Sequence, residues 1–332
     1  MSGKVVWLDP PRPTDAHCPL CGNGEGNRVL LEALHWEADR GQLDFATCGS
    51  CGSGFYPQAA AAVVGYPAGD DAFADPNFVL MLYHYLEVSA SVEMFVAMLE
   101  RLPFERFASV LEIGCGMGLA LDYCRVAWGI EATGVEPSAY GRGGAQLLDL
   151  PILNSRLDEA TELGERTFDL VAAIEVVEHV SDPVALLTDM RERLSPAGVL
   201  FLTLPSVEVI TPDADPAQLY GVLSGGAHWF VPSRRATERL LHESGLAHQQ
   251  VHTGGGSHLA AASREPLAAF RSPDPVARAR RYLAARIDHG FVDSRVELAF
   301  LIHVNDPTES VQHRIDMLLD ELFEISLDRP LA

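Results

Sequence analysis

The chain has 332 residues, a formal net charge of −22 and 48% hydrophobic side chains. That length suits one large domain with appendages, or two domains, and the apolar content supplies a sizeable core. Lysine and arginine number 24 against 46 aspartates and glutamates, and Lys4 is the only lysine. The overall field therefore repels a nucleic-acid backbone and an anionic lipid surface. Charges interrupt the longest apolar stretches, and the N-terminal MSGKVVWLDPPRP lacks the apolar run of a secretory signal. The expectation is a cytoplasmic protein with no membrane partner.

The first predicted unit is a cysteine module over residues 1–57. Four of the six cysteines form two Cys-x-x-Cys pairs, Cys18/Cys21 in HCPLCG and Cys48/Cys51 in TCGSCG. A glycine after each second cysteine favours a tight turn with amides aimed at sulfur. The pairs are separated by 26 residues, 22 to 47. In a reducing compartment this pattern predicts a four-thiolate zinc site instead of disulfides. Four ligands close the tetrahedron, so the zinc is expected to be structural. His17 adjoins a ligand and is not counted as one.

Residues 58–107 read as a linker, rich in Pro and Gly, followed by a helix from Asn77 to Leu102. Met81, Tyr85, Val88, Val92, Phe95 and Leu99 recur at three- and four-residue steps, and Pro103 ends the run. This helix is expected to act as a lid. Tyr83-His84-Tyr85 lies on it, although Tyr85 belongs to the apolar stripe.

From Ser109 short apolar strands alternate with helices. Strands are predicted at 109–113, 131–135, 151–153, 168–174 and 198–204, with helices at 117–127, 138–148 and 183–194. Two further strands are expected around SGLAHQQVHTGGGSHLAAAS. The alternation argues for a doubly wound parallel α/β sheet over residues 108–265. Residues 266–332 read as a helical C-terminal extension whose amphipathic helices offer a homodimer contact.

The segment VLEIGCGMGLALDYC carries the glycine turn. Its glycines are Gly114, Gly116 and Gly118, and the position that a dinucleotide fingerprint fills with glycine is Leu119. No phosphate loop with Gly-Lys-Ser/Thr is present. Glu112, just before the turn, would repel a pyrophosphate but suits a ligand with a positive charge. The next strand ends in Gly134-Val135-Glu136-Pro137, where a carboxylate can accept both hydroxyls of an adenosine ribose. Cys115 and Cys124 read as small buried residues, Cys115 within the turn itself.

The stretches VLEIGCGMG, TGVEPS, FDLVAAIEVVEHVSDPVALL and RLSPAGVLFLTLPS occur in this order. With them the chain resembles the class I S-adenosylmethionine-dependent methyltransferases, with a zinc-ribbon-like module at the N-terminus. The resemblance extends to HWFVPSRRATERLLHESGL. It implies that Glu112 and the backbone from Gly114 through Cys115 and Gly116 to Gly118 face the methionine and ribose. It implies that Glu136, beside Pro137, holds the ribose hydroxyls and that Arg156 and Leu157 lie beside the adenine. Members often have an acidic residue near that position. This chain has Asn154-Ser155-Arg156, with Asp158 as a substitute. Glu175 would border the methionine end and the acceptor.

Methyl transfer from a sulfonium is an in-line displacement, so the protein mainly aligns the nucleophile, and a base helps when the acceptor carries a proton. The candidates are Glu178-His179 after the fourth predicted strand and His228 in AHWF. Each also has a structural reading, as a loop tie or a packed aromatic loop. His248, His252 and His258 read as ordinary surface or strand residues.

The expected activity is methyl transfer to a small polar metabolite, such as a sugar nucleotide or a natural-product intermediate, at oxygen, carbon or nitrogen. One alternative is an RNA methyltransferase that uses the ribbon for substrate. It is disfavoured because residues 1–107 hold six Lys/Arg against fourteen Asp/Glu, a net of −8. The other alternative is a non-catalytic cofactor-binding regulator or scaffold.

Overall fold

The computed structural model describes residues 5–35, 41–58, 96–272 and 282. The predicted linker from residue 59, most of the lid helix with Tyr83-His84-Tyr85, and the C-terminal extension lie outside these residues. Within the lid helix, residues 96–99 are helical. No helix among the described residues is long and apolar enough to cross a membrane.

The chain opens with β1 (Val5–Pro13), β2 (Arg28–Leu34), β3 (Gln42–Thr47) and β4 (Gly54–Phe55). It continues with β5 (Ser109–Ile113), α1 (Leu119–Trp128), β6 (Glu131–Val135), α2 (Ala139–Leu148) and β7 (Ile152–Leu153). Next come β8 (Phe168–Ile174), α3 (Pro183–Glu192), β9 (Leu194–Pro205) and α4 (Pro216–Leu223). The last described elements are β10 (Phe230–Val231), α5 (Arg234–Glu243), β11 (His248–Gly254) and β12 (Ser257–Ser263). Two compact units result, Met1–Gly65 with Leu163–Leu267, and Tyr66–Glu162 with Ala268–Ala332.

In the first unit, β1, β2, β3, β4 and β10 form an antiparallel sheet in that order. Val29, Leu31 and Ala33 alternate inward on β2, as period-two burial requires. Leu31, Ala33, Phe45 and Tyr56 pack with Leu219, Leu223 and Val231. The Tyr56 hydroxyl donates to the Leu223 carbonyl at 2.8 Å. The N-terminal segment is thus richer in strands than its glycines and cysteines suggest, and β10 supplies its last strand.

The same unit holds the strand run β8-β9-β12-β11. β8 and β9 are parallel, while β12 runs antiparallel to β9 and β11 antiparallel to β12. Nearly every side chain of β8 is buried, as expected for a strand covered on both faces. α3 begins at Asp182, whose carboxylate accepts from Ala185 N–H, with Pro183 in the first turn.

The second unit carries β5, β6 and β7, all parallel, with α1 and α2 as the crossovers. Parallel strands joined through helices, together with the antiparallel β11–β12 pair, make a Rossmann-like α/β fold with a mixed sheet. β5, β6 and β8 match the predicted ranges. The predicted strand at 151–153 shrinks to Ile152–Leu153, and that at 198–204 lengthens to Leu194–Pro205.

Candidate functional site

In the second unit β5 delivers Glu112 to the strand's C-terminal end, and the chain then turns through Gly114, Gly116 and Gly118. All three glycines have positive φ, 65°, 53° and 78°. Side chains rarely adopt that region. Gly118 N–H donates to Cys115 O at 2.8 Å, and Gly114 N–H donates to Val135 O at 2.8 Å. These bonds fix the turn to the end of β6. α1 starts at Gly118 with no side-chain cap, so its N-terminal amides are left to other acceptors.

Glu136 organises the site. One carboxylate oxygen accepts from Gly116 N–H at 3.0 Å and the other from Ser138 N–H at 2.9 Å. Each oxygen keeps a lone pair. Asn154 donates through Nδ2 to the carbonyls of Glu136 at 2.8 Å and Ser138 at 2.9 Å. Asn154 is thus a positioning residue for the segment 136–138, a role the sequence did not reveal. Arg156 is exposed and pairs with Asp158 at 3.2 Å, whereas Leu157 is buried.

Glu112 is buried, and its Oε2 has no hydrogen-bond partner. Burial, and then repulsion from Glu136, pushes its pKa up to about 8. The Ser155 hydroxyl is also unpartnered and closed to solvent. A buried carboxyl with a free oxygen, the uncapped N-terminal amides of α1 and a second carboxylate form a set of groups that fits a nucleoside carrying a positive charge.

In the first unit a second polar cluster follows β8. Glu175 caps that strand with φ +53°, and its N–H donates to Thr203 O at 3.2 Å and to Thr203 Oγ1 at 3.1 Å. The next turn, Val177–His179, presents Glu178 and His179. His228 arrives from the loop before β10, whose Trp229 N–H donates to Glu178 O at 2.8 Å. His179 Nδ1 lies 2.9 Å from Ala227 O, and His228 Nδ1 lies 3.0 Å from Val222 O. Only a protonated Nδ1 can bond a carbonyl, so in each neutral ring Nε2 keeps its lone pair. The rings meet edge to face, 4.8 Å between centroids. Each Nε2 is 3.9 Å from Glu178 Oε1.

Both Glu178 carboxyl oxygens are buried and have no hydrogen-bond partner. Burial and the neighbouring Glu175 carboxyl push its pKa well up. Burial lowers that of His179. It lowers that of His228 to about 3, with His179 adding to the shift. The structure therefore brings together the three candidates Glu178, His179 and His228. His248 and His252 lie on β11, and His258 is buried on β12, where its Nε2 faces Pro232 O at 3.1 Å.

The four cysteines of the N-terminal segment also converge. Cys18 Sγ is 3.7 Å from Cys51 Sγ, and Cys21 Sγ is 3.5 Å from Cys48 Sγ. Zinc–sulfur bonds of about 2.3 Å place tetrahedral sulfurs about 3.8 Å apart, so the donors fit a zinc ion. Amides of Ser50 and Cys51 point at Cys48 Sγ at 3.4 and 3.5 Å. Ser233, which caps α5, donates to Cys51 O at 2.7 Å and accepts from Ala236 N–H at 3.1 Å.

Residues 89–251 match the family model described as a methyltransferase domain. The chain is similar to the ubiquinone biosynthesis O-methyltransferase of Cereibacter sphaeroides, 39% identical over 105 residues, which covers 30% of this chain and 41% of that one. It is also similar to the mitochondrial ubiquinone biosynthesis O-methyltransferase of Schizosaccharomyces pombe, 34% identical over 101 residues, 28% and 36% of the two chains. The chain thus spans about two fifths of the first curated relative's length. Among solved structures, human N-acetylserotonin methyltransferase is similar at 15% identity and a TM-score of 0.48, over 62% of this chain and 65% of that one.

Proposed function

We propose that this chain transfers a methyl group from S-adenosylmethionine to a hydroxyl oxygen of a small polar acceptor, and that its four clustered cysteines hold a structural zinc ion. The observation that carries the reading is Glu112. A buried carboxyl with a free oxygen beside a glycine turn gains most from a ligand that carries a positive charge and little from a pyrophosphate. Glu136 then serves the ribose hydroxyls with the lone pairs left after Gly116 and Ser138. Leu157 and the Ser155 hydroxyl serve the base. S-adenosylmethionine, when bound, supplies a methyl carbon made electrophilic by a positively charged sulfur.

The acceptor hydroxyl gives up its proton at the cluster of Glu178, His179 and His228. His179 is the more solvent-accessible histidine, and its Nε2 is free to face an acceptor. His228 is fully enclosed and too weak a base to work alone. The curated relatives are O-methyltransferases, which supports oxygen as the methylated atom. A sugar nucleotide or a natural-product intermediate fits a small polar acceptor. The acidic balance of residues 1–107 argues against RNA.

Two measurements test the reading. Calorimetry should give one S-adenosylmethionine site per chain, and binding should weaken in Glu136→Ala. Incubating the protein with methyl-labelled cofactor and pooled hydroxylated metabolites should yield labelled methyl ethers. Absence of cofactor binding refutes the activity. Binding without transfer to any pool would favour a regulatory or scaffold role. Metal analysis well below one zinc per chain would refute the zinc reading.

A further inference from the structure

The polar atoms around Glu178 are all acceptors. Its two carboxyl oxygens have no donor, and each is shut off from solvent. His179 and His228 turn lone pairs toward the same space, because their Nδ1 protons are committed to the carbonyls of Ala227 and Val222. Glu175 adds another carboxyl, whose Oε1 is likewise unpartnered. A buried acceptor left without a donor is destabilising, and more so when it is charged. Protonating Glu178 relieves the charge and lets it share that proton with the neighbouring Glu175 carboxyl, but it leaves both histidine lone pairs without a donor. A cation between Glu178, His179 and His228 satisfies these three at once.

We propose that Glu178, His179 and His228 form a binding site for a divalent first-row transition-metal ion, separate from the cysteine cluster. The three ligand atoms lie within 4.8 Å of one another. Metal–nitrogen and metal–oxygen bonds of about 2.0–2.2 Å need ligand atoms about 3.3–3.6 Å apart in a tetrahedron. The 3.9 Å separations from Glu178 Oε1 to each Nε2 exceed that range by a few tenths of an ångström. The outer contacts are in place. Each histidine hands its other ring nitrogen to a backbone carbonyl, which fixes the tautomer that ligates. Glu178 and His179 come from one turn, and Trp229 N–H ties the His228 loop to that turn through Glu178 O. Two histidines and one carboxylate leave coordination positions open, the arrangement of catalytic and not structural metal sites.

The consequence for chemistry rests on the proposed methyl transfer, whereas the binding itself does not. An acceptor oxygen in an open position would be polarised by the ion and would lose its proton at a lower pH. With all three side chains on the ion none of them serves as the base: the proton passes to solvent, the oxygen attacks the methyl carbon, and the carbon–sulfur bond breaks toward sulfur.

The test uses the full chain. Protein purified with its cysteine site filled with zinc is titrated with cobalt(II), and bound metal is counted after gel filtration. One cobalt per chain is expected in addition to the zinc, with visible bands that lack sulfur-to-cobalt charge transfer. Glu178→Gln, His179→Gln and His228→Gln should each lower the cobalt affinity at least tenfold while the zinc content stays at one per chain, which reports that the unit still folds. Failure of the zinc-loaded protein to take up cobalt overturns the proposal. So does cobalt uptake that all three variants retain. Cofactor calorimetry on the same samples reads the second unit independently, so a protein that binds S-adenosylmethionine but no cobalt refutes this site alone.

Discussion

Gly116 N–H donates to Glu136 Oε2 at 3.0 Å and so ties the glycine turn after β5 to the acid after β6. The bond holds Glu136 in one rotamer before any ligand arrives, and Ser138 N–H fixes its other oxygen. Glu136→Ala removes both acceptors and the pre-set carboxylate. Hydrogen bonds to charged groups are worth about 1.5–3 kcal/mol each, so S-adenosylmethionine should bind at least about tenfold more weakly. Glu136→Gln keeps one acceptor oxygen and should fall between. Calorimetry decides, and an unchanged Kd in Glu136→Ala would remove Glu136 from the site.

Glu112 predicts a pH effect of defined sign. Its folded pKa is raised to about 8, above the ordinary carboxylate value. The folded state therefore holds the proton more tightly than the unfolded chain. The resulting stability is complete at acidic pH and is lost as pH rises through about 8. Glu175 and Glu178 are shifted in the same direction. Glu112→Gln should flatten the decline in unfolding free energy toward pH 8 without abolishing it. A ligand with positive charge needs the ionised form, so its binding at pH 7 should release a proton and tighten as pH rises to about 8. Calorimetry in buffers of different ionisation enthalpy measures that proton, and Glu112→Gln should erase it.

The cysteine cluster makes a stability prediction. Ser233 donates its hydroxyl to Cys51 O and its N–H to Ser53 Oγ at 3.0 Å, so the cluster is fastened to the start of α5. Stripping the metal with a strong chelator should lower Tm and expose the four thiols to a thiol reagent. Cys48→Ser should do the same without chelator, because Cys48 Sγ receives the amides of Ser50 and Cys51. A thiol titre of six in the untreated native protein would contradict it, since all six cysteines are free of disulfides and only the unliganded ones react.

What the sequence made legible was what it encodes locally. The strands at 109–113, 131–135 and 168–174 are apolar runs bounded by turn residues, and their side chains are buried as such runs require. Glycine spacing and the acid after β6 located the turn. Cys-x-x-Cys pairs announce themselves without tertiary knowledge. What stayed hidden depends on contacts between distant segments. Nothing in AHWF says that His228 faces Glu178, because that approach is set by the Trp229 N–H to Glu178 O bond across the fold. Asn154 looked like a missing acid, but it works through its amide on the backbone of 136–138. The β4–β10 pairing joins segments on either side of the parallel strands, so no local pattern could reveal it.

Gly144 gives the last prediction. It sits on α2, and an added Cβ would lie 2.1 Å from the Met117 carbonyl oxygen, inside the glycine turn. The clash is with backbone on both sides, so relief requires α2 or the turn to move. Moving the turn disturbs Gly116, and with it the bond to Glu136. Gly144→Ala should therefore destabilise the protein by about 1–3 kcal/mol, as overpacking does, and weaken S-adenosylmethionine binding as well. Gly221, inside α4, is the matched control, since an added Cβ there meets nothing within 4 Å. Gly221→Ala should stabilise the protein by roughly 0.5–1 kcal/mol through helix propensity and leave cofactor binding unchanged. Urea unfolding midpoints and calorimetry on both variants separate a helix effect from a site effect. Equal midpoints for the two would show that α2 tolerates a side chain at the turn.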